Sequence, residues 1–188
     1  MIAKTVSSPL NKDDVCTLRC GETVLLSGVV YTARDAAHAR LIDAIQQGET
    51  LPFPVENAIV YYVGPTPSKP GKVIGSAGPT TSYRMDAFAP ALIKMGLTGM
   101  IGKGARDLEV IEAMKEFTAV YFGAVGGAGA LLAQCVETSE VIAYDDLGAE
   151  AIRKLTVKDL PLTVIIDSEG NDLYIQGRAD YLSSKTEN

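Results

Sequence analysis

Residues 23–48, "TVLLSGVVYTARDAAHARLIDAIQQG", constrain the fold more than any other stretch, because the hydrophobic period changes within one unbroken segment. Residues 23–31 are apolar, short and rich in β-branched side chains, which reads as a buried strand. From Thr32 the period becomes helical. Thr32 and Asp35 match a capping box, a hydroxyl followed three residues later by an acid. Ala36, Ala37, Leu41, Ile42 and Ile45 then recur at helical spacing, and Gly48 ends the run, so a helix is predicted over about 33–47. A strand that feeds straight into a capped amphipathic helix is the unit from which α/β domains are built.

The same alternation continues. Strands are expected at 58–64, 98–103 and 119–125, and helices at about 86–95 and 107–117, with Pro90 delaying the first and Asp107 as N-cap of the second. Between 64 and 82 runs a loop dense in Gly and Pro, interrupted by a short strand at 72–74. Irregular stretches of that length usually serve a function. "GGAGALLAQCVE" reads as a glycine turn opening an apolar helix, and "EVIAY", "AIRKLTV", "LTVIID" and "DLYIQ" read as strands, the last two joined by the hairpin signal "SEGN". At 188 residues this is a single α/β domain with extra β-structure at both ends, an ordered core over about 9–176 and a polar tail over 177–188.

Charge and cysteine usage exclude several classes. The formal net charge is −6 without a compensating Lys/Arg run, which argues against a nucleic-acid surface. No stretch approaches the ~20 apolar residues of a membrane span. The N-terminal "MIAKTVSSPLNKDDV" has no secretory apolar core. Cys16, Cys20 and Cys135 are odd in number and make no disulfide framework, pointing to a reducing cytoplasm. With His38 the only histidine, they make no obvious metal site, and buried or half-buried thiols are the simpler reading.

Chemistry gathers at element boundaries. Arg34 stands in the first turn of the predicted helix, where acids are preferred. It is either solvated or half of a carboxylate or phosphate site completed by helix N–H groups. Arg84 bears the same relation to the next helix, directly after Thr80, Thr81 and Ser82. Those hydroxyls are turn and cap residues or ligand contacts, and a cap needs only one. Lys103, in "GMIGKGA" at a strand end, is a surface lysine or a site residue of the kind α/β folds collect there. Three cations and the hydroxyls, with few acids close in sequence, suit a small substrate with more than one negative charge, a dicarboxylate or a phosphoester. "GAVGGAG" lacks the spacing of a phosphate loop and reads as a close-packed turn.

Taken in order, "TARDAAHARL", "GPTTSYRMD", "GMIGKGA" and "GAVGGAGALLAQ" resemble the β-subunit, or C-terminal domain, of iron–sulfur hydro-lyases, the class I fumarases and tartrate dehydratases. The resemblance runs from about Pro9 to Tyr174, and "AYDDLGAEAIRKLTVKDLPLTVIIDSEGNDLY" looks more like class I fumarase. It implies a swivelling β/β/α domain that closes over a [4Fe–4S] cluster held by a separate α subunit, not by this chain. Carried over residue by residue, Arg34 grips a carboxylate, Thr81 contacts the substrate, Arg84 and Lys103 complete the anion clamp, and Thr80 takes the proton from carbon. Tyr83 departs from the pattern, where a small residue is expected.

The expected function is therefore that of the β subunit of a two-subunit, class I type fumarate hydratase acting on a C4 dicarboxylate. As a hydro-lyase in a hetero-oligomer it would be active only with its cluster-binding partner. The same chemistry on L-tartrate, yielding oxaloacetate, is the first alternative, and a non-catalytic dicarboxylate-binding domain is the second.

Overall fold

The computed structural model describes residues 3–177 and 179, so the expected tail lies outside the described residues apart from Gly177 and Ala179. Strands and α-helices alternate through most of the chain, as the α/β reading requires: β1 (Lys4–Ser8), α1 (Lys12–Val15), β2 (Thr23–Thr32), α2 (Asp35–Gln47), β3 (Ile59–Tyr61), α3 (Ala89–Lys94), β4 (Gly99–Gly102), α4 (Leu108–Phe117), β5 (Val120–Gly123), α5 (Gly129–Leu132), β6 (Val136–Ala143) and β7 (Ile152–Ile166).

Strands β2, β3, β4 and β5 run parallel in that order. The long β7 is antiparallel to both outer members, β5 and β2, so the pairings close into a ring, β2–β3–β4–β5–β7–β2. Parallel β1 flanks the first half of β2, and antiparallel β6 flanks the first half of β7.

Two apolar clusters follow from the strand period of two. Val24, Leu26, Ile59, Tyr61, Ile101, Phe122, Leu155 and Val164 point inside the ring. Their neighbours Val60, Met100, Tyr121 and Ile165 point out, against Leu41 of α2, Leu92 and Ile93 of α3, and Val110 and Met114 of α4. Each helix buries one stripe only, as in α2, where Ala37, His38, Leu41 and Ala44 face inward and Gly48 closes the helix with φ 70°.

Several local expectations are corrected. Thr32 does not cap α2. Its hydroxyl donates to the Ala151 carbonyl and accepts from the Arg153 N–H, because β7 runs past the end of β2 and offers it backbone partners. Arg34 occupies the N-cap position instead. Residues 72–74 form no strand, since neither side of that loop meets a ladder. A 3₁₀ helix, Ser82–Met85, precedes α3, and Asp107 holds the N-cap position of α4 without a side-chain cap bond. "AIRKLTV" and "LTVIID" belong to one fifteen-residue strand, β7. "SEGN" does turn the chain, but only Asp172 pairs back, with Ile166, and residues 173–177 are helical.

Among the described residues no helix is long and apolar enough to cross a membrane.

Candidate active site

The carboxyl ends of β2, β3 and β4 lie side by side, and the chain leaves the first and the last of them through a residue singled out above. Beyond β2 comes Arg34; beyond β3 come Tyr62 and Gly64; beyond β4 comes Lys103. The 76–85 segment returns across these ends. Thr80 donates its N–H to the Tyr62 carbonyl at 2.7 Å, Thr81 bridges Lys103, and Ser82 donates its N–H to the Lys103 carbonyl at 2.9 Å. Backbone bonds alone therefore bring Thr80, Thr81 and Lys103 together.

The three neighbouring hydroxyls have different fates. Ser82 is fully buried, and its Oγ is 2.8 Å from the Tyr121 hydroxyl, which donates to the Gly104 carbonyl at 3.0 Å. Gly102 is obligatory beneath it, because a Cβ there would collide with Ser82 Oγ. Thr81 holds the N-cap position of the 3₁₀ helix without using its side chain. Both Thr80 and Thr81 are half-buried. Of the three hydroxyls, that of Ser82 is structural.

Side-chain charge joins the rest. Arg84 Nη2 donates to Asp35 Oδ2 at 2.7 Å, and Arg34 Nη2 lies 3.5 Å from the same oxygen. On its other side Arg34 Nη2 lies 3.1 Å from Glu150 Oε1, while Glu150 Oε2 accepts the Ala36 N–H at 3.1 Å. Glu150 therefore does the work expected of Thr32, satisfying a free N–H at the start of α2. Arg34 lies across Gly64, where a Cβ would stand 2.9 Å from Nη1. Few acids lie close to these cations in sequence, but folding adds one from afar: two carboxylates, one adjacent in sequence to Arg34 and one 116 positions away, hold the arginines by Nη2. Lys103 is half-buried, its stem passing Gly126, and no carboxylate pairs with it among the described residues.

Beneath these groups is a buried ion pair that the sequence reading missed. Arg106 Nε donates to Asp86 Oδ1 at 2.6 Å, and the other Asp86 oxygen accepts the Asp107 N–H at 2.8 Å. The guanidinium carbon stands 5.4 Å from the ring centre of Tyr62 and 5.0 Å from that of Tyr121. Burial works against the Arg106 charge, but the Tyr62 ring and hydroxyl, together with Asp86, outweigh it and keep the guanidinium ionised. His38 lies alongside, fully buried. Its Nδ1–H donates to the Arg34 carbonyl at 2.9 Å, and Nε2 has no partner. Burial, with the Arg106 charge adding, lowers its pKa to about 4, so it is neutral.

Clefts of about 520 and 400 Å³ flank the 65–76 loop, and none of the five candidate residues lines either. Val73 and Val125 are exposed on loops, Tyr83 on the 3₁₀ helix and Leu131 on α5. Tyr83 is 65% exposed, so its bulk is not part of the packed interior. Thr80, Thr81 and Lys103 are thus joined through backbone bonds, and Arg34 and Arg84 through Asp35.

The family described as Fumarase C-terminus matches residues 3–177. The Escherichia coli protein named "Fumarate hydratase class I, aerobic" is 39% identical over 153 residues, covering 80% of this chain and 28% of that protein. The Methanocaldococcus jannaschii protein named "Putative L(+)-tartrate dehydratase subunit beta" is 39% identical over 171 residues, 88% of either chain. A Geobacillus stearothermophilus protein named "Putative fumarate hydratase class I" is 33% identical over 175 residues, covering 90% of this chain and 33% of its own length. The chain thus spans about a third or less of the fumarate hydratase relatives and most of the tartrate dehydratase one.

Proposed function

This chain belongs to the Fumarase C-terminus family, and from that premise we propose that it is the β subunit of a class I type fumarate hydratase, a hydro-lyase that interconverts fumarate and L-malate. The observation that carries the reading is the gathering of Thr80, Thr81, Lys103 and the Arg34–Arg84 pair around neighbouring strand ends.

Arg34 grips one substrate carboxylate through Nη1, and Arg84 and Lys103 complete the clamp. Thr81 touches the substrate near the reacting carbons. In the dehydrating direction Thr80 takes the proton from the carbon next to a carboxylate, as hydroxide leaves the adjacent carbon. In hydration the proton returns by the same path. A threonine hydroxyl is a weak base at neutral pH, and neighbouring cations favour its ionised form. As the proton departs, charge builds on the carboxylate, where fixed cations stabilise the transition state more than the ground state.

The residues of this chain do not fit an iron–sulfur cluster. Cys20 Sγ donates to the Ile165 carbonyl, Cys135 Sγ lies 3.9 Å from the Asp159 carbonyl, and Cys16 is exposed elsewhere. Among the described residues no three metal-capable side chains converge. In this proposal the [4Fe–4S] cluster, with its Lewis-acid character, belongs to a partner α subunit that supplies the facing wall. The free thiols support a cytoplasmic setting.

Co-expression with a cluster-bearing α subunit tests the reading. The purified pair should dehydrate L-malate, and Thr80→Ala should lower kcat by about 10²–10⁴-fold with iron content unchanged. Undiminished turnover in that variant would remove Thr80 from the chemistry. A second reading, L-tartrate dehydration to oxaloacetate, is favoured by the M. jannaschii relative, which matches this chain along 88% of both lengths. The ratio of kcat/KM on the two substrates decides between them. A chain that binds malate tightly with no cluster-bearing partner and no turnover is the dicarboxylate binder instead.

A further inference from the structure

Arg34 and Arg84 are fifty residues apart in sequence and stand on separate elements, yet their Nη2 atoms meet at a single oxygen, Asp35 Oδ2. Two guanidinium groups brought that near one another repel unless an anion lies between them. Asp35 is well sited for that duty. It is the first residue of α2, where the helix dipole favours negative charge. Its side chain is about a quarter exposed, so the carboxylate is only partly screened by water. Arg84 leans on it more heavily than Arg34 does. Arg34 has Glu150 as a second partner and Gly64 as a floor, whereas Arg84 rides on a four-residue 3₁₀ helix and has Asp35 as its one carboxylate among the described residues.

We propose that Asp35 is a positioning residue, a shared counter-anion that sets the spacing of Arg34 and Arg84 so that the two guanidinium groups address one dianionic substrate as a unit. The inference rests on the anion-clamp reading above and deepens it. Asp35 does not touch the substrate. Its Oδ2 edge is taken by the arginines, and Oδ1 is buried. Loss of its charge has two opposed consequences. The site becomes more positive, which strengthens attraction of a dianion. The arginines also lose their common anchor, which loosens the geometry on which turnover depends.

These opposed consequences give Asp35 a kinetic signature unlike that of either arginine. In the reconstituted enzyme Asp35→Asn should lower kcat by about 10–100-fold while KM holds or falls. Loss of an arginine raises KM. Asp35→Glu, which restores the charge one methylene further out, should recover part of the lost kcat. Side-chain resonances of [¹⁵N]arginine-labelled full-length chain give a readout independent of turnover. Asp35→Asn should move the signals of both Arg34 and Arg84. If Asp35→Asn does not fold, Arg84→Ala replaces it, and the Arg34 signal should move although no bond joins the two arginines. Movement of the Arg84 signal alone, a stationary Arg34 signal in Arg84→Ala, or kcat within about twofold of wild type in Asp35→Asn, overturns the proposal. A wild-type pair with no turnover at all refutes the hydro-lyase reading and leaves the spectroscopic test of Asp35 standing.

Discussion

The short segment Ser82–Asp86 is gripped twice by ion pairs, once from above and once from below, and the two grips differ mainly in water. Below, Arg106 and Asp86 are 0% and 3% exposed, roofed by two tyrosine rings. Above, Arg84 and Asp35 are 44% and 26% exposed, and the chain of charges runs on through Arg34 to Glu150. The chemistry is the same guanidinium–carboxylate contact. In the dry layer each charge has surrendered its hydration and depends on its partner. In the wet layer each can fall back on solvent, so the contact orients more than it stabilises. The lower layer locks the segment down, and the upper layer is the one to which the proposed function assigns the substrate.

Breaking the dry pair should have the largest effect. Arg106→Met strands a buried carboxylate and should cost about 3–5 kcal/mol of folding free energy, read as a lowered urea midpoint. Replacing both partners with apolar residues of similar volume should recover most of it, and a double variant as unstable as the single one would contradict the solvation argument. Next comes His38, which lies between the layers. Its folded pKa is about 4 against an ordinary 6.5, so between those values the unfolded chain holds more protons and stability falls as pH drops. The loss should total on the order of 3 kcal/mol by pH 4, and His38→Leu should erase that limb of the stability curve. The wet pair should give the smallest effect on folding. Arg84→Ala should cost about 0–1 kcal/mol of stability, yet weaken substrate binding by roughly 2–5 kcal/mol in the assembled enzyme. A large fall in stability there would erase the distinction between the layers.

That distinction also explains which features the sequence disclosed. Strands β2 to β5 were legible because both faces of each are covered, leaving short apolar runs such as "AIVYYV". Of the candidate residues, Lys103 was marked by its place after such a run, where α/β sites collect, whereas Thr80, Thr81 and Arg84 were marked by a surplus of hydroxyls and a cation before a helix. Partners from distant parts of the chain were not. Arg106 pairs with an acid twenty residues earlier, and nothing in "KGARDLE" marks its arginine as dry. Glu150 reaches α2 from 114 residues away and displaces a local capping signal that was correct in pattern. Thr32 matched the box, but a neighbouring strand claimed its hydroxyl first. "DLYIQ" failed for a related reason: once Asp172 has paired with Ile166, no ladder extends beyond it among the described residues. Asp35 was read as a cap when its carboxylate serves two arginines.

The closed ring of strands acts as a ruler. Arg34 leaves β2 and Lys103 leaves β4, with β3 between them, so their points of departure are two strand spacings apart, about 9–10 Å. Backbone ladders, not loops, set that gauge, and β7 closes the ring behind it. For the clamp proposed above, a diacid one carbon longer or shorter would have to be met by side-chain reach alone, because the strand ends cannot move apart without breaking main-chain pairing.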